Sequence, residues 1–210
     1  MNIKVCGITQ LKQLQQLDAL NIDFAGLIFY EKSPRFVGDK IDPEALTDAD
    51  FDVRKVGVFV DAGFDHIMEK VESYSLDLVQ LHGNESVELC EDLSEEIEVI
   101  KAFQIDEKTK DIDKLVAPYD HCCDYYLFDT SAAGKNGGTG RQFDWSIFEN
   151  ARIEKPFFLS GGIGVDDAER ISALQHPDLF AVDINSKFET QPGIKDMKQV
   201  LQFKESLKSK

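Results

Sequence analysis

Cys6 and Asp129 each close a short apolar run, and together they could do acid-base chemistry. A thiolate facing a carboxylic acid across a cleft makes a general base and a general acid. Each also has a plain structural alternative, since Cys serves as a small buried hydrophobe and an Asp ending a strand serves as a helix cap. Arg35, in SPRF, offers a planar fork suited to a carboxylate, or is simply solvated. His82, two residues after Gln80, could be a base, a hydrogen-bond donor or a ring packed at a rim. Trp145, in FDW, reads as a packing anchor.

Two glycine clusters could receive an anion: Gly137-Gly138-Thr139-Gly140, and Gly161-Gly162-Ile163-Gly164 directly after Ser160. Glycine allows close backbone approach, and N–H groups at a helix start can cradle a phosphate. Taken alone, a glycine pair is equally well explained by turn chemistry. Neither cluster has the GxGxxG or GxxxxGK(S/T) spacing, so no nucleotide cofactor is indicated. Another apolar run carries Asp183 and leads into Asn185 and Ser186.

These residues share a place in the pattern. Apolar runs at Ile3–Cys6, Phe24–Phe29, Lys55–Val60, Leu78–Leu81, Val99–Phe103, Tyr125–Asp129, Pro156–Ser160 and Leu179–Ile184 predict eight strands. Several, such as FAGLIF and KVGVFV, are almost continuously apolar, as parallel strands covered on both faces are. Helical spacing falls between them, at Leu11, Leu14 and Leu17, at Ile67, Met68 and Val71, at Val87 and Cys90, and at Met197, Val200 and Leu201. The βα alternation predicts one (β/α)₈ TIM barrel over residues 1–210, an open doubly wound sheet being the alternative. In such barrels the site forms at the C-terminal strand ends, where the residues above lie, and loops after strands 7 and 8 commonly bind phosphate.

Composition narrows the partners. Lys plus Arg is 23 against 39 Asp plus Glu, a formal net charge of −16. That sign repels nucleic acid and anionic membranes, so neither is an expected partner. No apolar run is long enough to span a bilayer and no targeting segment leads the chain, so a cytoplasmic protein is expected. The four cysteines are too few and irregular for a disulfide scaffold and are read as free thiols. His121, Cys122 and Cys123 are consecutive and lack a second ligand pair, so no metal site is expected.

The ordered set KVCGIT, FAGLIFYEKSPRFV, VGVFVDA, VQLHGNES, LFDT, GGTGRQFDW, LSGGI and VDINSKFE closely resembles the phosphoribosylanthranilate isomerase family of tryptophan biosynthesis, from Val5 to about Lys195. LSGGI alone is shared by many phosphate-binding barrels, whereas KVCGIT, SPRF, LHG and GGTGxxFDW in this order are specific. The resemblance implies a cofactor-free Amadori rearrangement of a small phosphosugar substrate in a monomer or homodimer. It implies Asp129 as general acid, Cys6 as general base, Arg35 as ligand of the anthranilate carboxylate and Asp183 as ligand of a sugar hydroxyl. It places phosphate on backbone groups around Gly161, Gly162, Asn185 and Ser186, with Ser160 among the other substrate-binding residues. Gly138 and Gly140 would flank a mobile cover, and Gln80 and His82 would line the pocket. The chain departs from the family where Asn185-Ser186-Lys187 stands in place of the usual Ser-Ser-Gly. Two rivals remain on the residues. One is the histidine-pathway aminoaldose isomerase, which has Asp where Cys6 stands. The other is a barrel that binds a phosphorylated metabolite without catalysis.

Overall fold

The computed structural model describes residues 1–106, 108–109, 111–130, 145–148 and 151–208. Eight parallel strands close into a barrel in sequence order: β1 Asn2–Cys6, β2 Phe24–Ile28, β3 Arg54–Phe59, β4 Leu78–Leu81, β5 Glu98–Gln104, β6 Tyr125–Asp129, β7 Phe157–Ser160 and β8 Leu179–Ile184. Each coincides with an expected run to within a residue or so. Side chains alternate between the two faces of a strand, so each strand supplies two apolar layers. Inward positions Phe24, Val56, Leu78, Ile100, Leu127, Phe158 and Ala181 fill the barrel interior. Outward positions such as Val5, Ala25, Val79 and Val182 pack in a larger cluster with the helices.

The outer layer is uneven. α1 Leu11–Ala19, α3 Phe64–Ser73, α4 Val87–Ser94 and the C-terminal α7 Met197–Lys208 lie where helical spacing predicts them, while α2 Pro43–Thr47, α5 Ile112–Val116 and α6 Ala168–Ala173 are a turn or so each. Leu14 and Leu17 of α1, Ile67 of α3, and Cys90 and Leu93 of α4 are buried against the barrel. Local chemistry sets the starts: the Ser86 hydroxyl accepts from Leu89 N–H at 3.2 Å and begins α4. Among the described residues a 3-10 turn, Trp145–Phe148, stands between β6 and β7. Trp145 is buried there beneath Arg170, whose guanidinium lies 4.2 Å from the ring centre.

Two details were not foreseen. A small antiparallel ribbon, β9 Glu189–Gln191 and β10 Ile194–Lys195, follows β8, reversed at Pro192-Gly193 with Gly193 at φ 83°. Cys122 and Cys123 lie in a turn rather than an extended segment, so their thiols do not diverge: both meet the Tyr119 carbonyl, at 3.6 and 3.3 Å. All four cysteines are free. No described helix is long and apolar enough to cross a membrane.

Candidate active site

Register alone brings three of the polar strand ends together. Asp129 of β6 pairs with Ser160 of β7, and Ser160 with Asp183 of β8. Asp183 in turn pairs with Lys4 of β1. These four neighbours share the inward face at the level where the apolar interior gives way to a cavity of about 240 Å³. Its wall includes Cys6, Gln80, His82, Asp129, Ser160, Gly161, Gly162, Asp183, Asn185 and Ser186, with apolar cover from Ile28, Val58, Val60 and Ile163.

Cys6 fits because β2 carries glycine opposite it. A Cβ on Gly26 would lie 2.8 Å from the Cys6 sulfur, so any larger residue would displace the thiol. Gly7, at φ 81°, turns the chain directly after the cysteine into a region that L side chains rarely adopt. Burial pushes the Cys6 thiol above its ordinary range; the positive charge of Lys4 opposes the rise and Asp183 adds to it.

Asp129 meets His82 across the cavity wall, with Nε2 to Oδ2 at 3.3 Å. Gln80 of β4, two residues earlier, places Nε2 2.6 Å from His82 Nδ1. An amide N–H donating to Nδ1 leaves the imidazole proton on Nε2, aimed at the carboxylate. The loop carrying His82 is fixed from below. Lys101 of β5 donates to the Gly83 carbonyl at 2.9 Å and to Glu85 at 2.7 Å, and Glu85 Oε1 accepts from Asp61 N–H at 3.0 Å.

The anion side is built from backbone. Gly161 and Gly162 have φ of 103° and 65°. The Thr130 hydroxyl ties this loop to β6, donating to the carbonyls of Ser160 at 3.0 Å and Gly161 at 3.1 Å. The Ser160 hydroxyl donates to Asp183 at 3.0 Å. After β8 the chain turns through Ser186–Phe188, and Lys187 folds back over the β7 loop: a Cβ on Gly164 would lie 3.7 Å from its Nζ.

Arg35 is not part of the cavity wall. Its Nε and Nη2 are given to Glu189 at 2.6 to 3.0 Å, leaving Nη1 without a partner among the described residues. Glu189 also accepts from Lys195 at 2.7 Å, and the same ammonium reaches Asn185 Oδ1 at 2.7 Å. Burial works against the Glu189 carboxylate, but Arg35 and Lys195 hold it below the usual range. Gly138 and Gly140 lie outside the described residues. Among the described residues no group of three or more His, Cys, Asp or Glu is placed to hold a metal ion. Reasoning from the sequence missed Lys4, Thr130, Glu189 and Lys195.

Residues 3–206 match the family model described as N-(5'-phosphoribosyl)anthranilate (PRA) isomerase. The chain belongs to the PRA isomerase family. A PRA isomerase from Parabacteroides distasonis is 43% identical over 205 residues, 97% of this chain and 91% of that one. The crystal structure of PRA isomerase from Thermotoga maritima superposes with a TM-score of 0.83 at 30% identity, covering all of both chains. A PRA isomerase in complex with reduced 1-(o-carboxyphenylamino)-1-deoxyribulose 5-phosphate does so with a TM-score of 0.82 at 29% identity, again over both full chains. The expectation of an eight-stranded barrel of this family is borne out.

Proposed function

We propose that the cavity converts N-(5'-phosphoribosyl)anthranilate to 1-(2-carboxyphenylamino)-1-deoxyribulose 5-phosphate in tryptophan biosynthesis, with Asp129 as acid and Cys6 as base. The observation that carries the residue roles is their common lining of one cavity that also includes a glycine-turned anion cradle.

Asp129 in its acid form protonates the furanose oxygen, the C1'–O bond breaks, and the nitrogen lone pair forms an iminium. The carboxylate left behind accepts the His82 Nε2–H, so the charge that develops on Asp129 meets a donor already in place. The iminium makes the C2' proton acidic. The Cys6 thiolate takes it, the electron pair moves to give the enolamine, and tautomerisation yields the ketone. A thiol held above its usual range is scarcer as thiolate but a stronger base once ionised.

Binding follows the same wall. Backbone N–H groups around Gly161 and Gly162, with Asn185 and Ser186, take the phosphate, and Asp183 takes a sugar hydroxyl. Arg35 keeps its fork on Glu189 and offers Nη1 to the anthranilate carboxylate. Gln80 Oε1, buried and without a partner among the described residues, accepts from the bound substrate. The reading is tested by adding catalytic amounts of protein to the fluorescent substrate. Loss of its fluorescence over many turnovers supports it, and no loss with correctly folded protein overturns it.

A further inference from the structure

The mechanism gives no part to the most deeply buried charge among the described residues, Lys4. Lys4, on the inward face of β1, is 0% exposed, and its ammonium donates to Asp183 Oδ1 at 2.9 Å. Stability does not account for it, because a buried ion pair is often matched or bettered by apolar residues of similar volume. Position offers another reason. Lys4 and Cys6 are two residues apart on β1 and share its inward face, about 6.6 Å apart along the strand and within reach of the lysine's flexible stem.

We propose that Lys4 is a positioning residue for the base: a fixed, water-free positive charge beneath Cys6, against which the thiol loses its proton. The other ionisable groups acting on the thiol are Asp183 on β8, Lys195 on β10 and Arg35 in the loop after β2, while β2 itself presents only Gly26. Lys195 and Arg35 are both committed to Glu189. Asp183 opposes ionisation of the thiol, so Lys4 and its own partner push Cys6 in opposite directions. Burial acts to lower the Lys4 ammonium, but Asp183 and Cys6 outweigh it and keep the group charged.

That opposition separates the proposal from a role in which Lys4 merely holds Asp183. The readout is the pH dependence of iodoacetamide alkylation at Cys6, followed on the Cys6 peptide by mass spectrometry in the absence of substrate. Although the inference rests on Cys6 being the base, this measurement does not depend on turnover, so either claim can fail alone. Lys4→Met should raise the midpoint by about 1 pH unit or more and slow alkylation at pH 8 at least tenfold. Asp183→Asn should lower the midpoint and speed alkylation. If Lys4→Met does not fold, the double variant Lys4→Met/Asp183→Asn, which removes both charges, should still react at least tenfold more slowly than Asp183→Asn. An unchanged rate in Lys4→Met, or slowing of equal size in Lys4→Met and Asp183→Asn, overturns the proposal.

Discussion

His82 Nε2 points at Asp129 Oδ2 from 3.3 Å, and Gln80 of β4 fixes which nitrogen carries the proton. The pair turns a carboxyl group at a strand end into one whose ionised form is already solvated by protein. His82→Asn should lower kcat about 10- to 100-fold, the range for losing a hydrogen bond to a charged group. KM should move less, because the bond strengthens only as Asp129 gives up its proton. Steady-state kinetics decide it; a wild-type kcat in the variant would make His82 a wall residue only.

Gln80 sets the His82 tautomer through its bond to Nδ1. Gln80→Leu keeps the volume but removes the donor to Nδ1, freeing the imidazole to place its proton on either nitrogen. The loss in kcat should approach that of His82→Asn, and the double variant should be little worse than either single. Additive losses would show that the two side chains act separately.

Arg35→Lys keeps the charge but not the fork that grips Glu189 and presents Nη1. KM should rise several fold with a smaller change in kcat. Glu189→Gln attacks the same arrangement from below, leaving Arg35 and Lys195 facing each other. Since breaking a buried pair costs about 3 kcal/mol or more, a visibly lower melting temperature at pH 7 is expected. The Glu189 carboxyl is held low in the folded protein, so its contribution is present above the unfolded value near 4.5 and is lost as pH falls through the lower folded value. The stability gap between wild type and Glu189→Gln should therefore narrow below about pH 4. A gap that is constant with pH would sink this account of the cluster.

Lys187 lies over the β7 loop, close to Gly164. Lys187→Ala should raise KM at low ionic strength, and the difference should shrink as salt screens an exposed charge. The same KM in both proteins at low salt would leave phosphate binding to backbone groups alone.

The strands were legible because each is a short apolar run bounded by polar residues; Cys6, Asp129 and Ser160 were legible because each ends one, and Asp183 because it is a charge next to the end of another. Gly26 also carried a signal, a glycine inside a strand, whose meaning emerges only when Cys6 is seen beside it. Lys4 could have been found by alternation, since it is two residues before Cys6. Glu189 and Lys195 had no local signal: Arg35 is 154 residues from Glu189, and a charged residue in a polar stretch reads as solvated until the β9–β10 ribbon folds it inward. The Lys101–Glu85 pair was hidden likewise, because a lysine inside an apolar run gives no sign of its partner.

The central claim is that Cys6 removes the C2' proton. The direct measurement is kcat of Cys6→Ala with N-(5'-phosphoribosyl)anthranilate, together with the variant's affinity for a product analogue. The account predicts a fall in kcat on the order of 10² to 10⁴, with affinity within a few fold of wild type. A variant that keeps more than half the wild-type kcat while binding the analogue normally would contradict it.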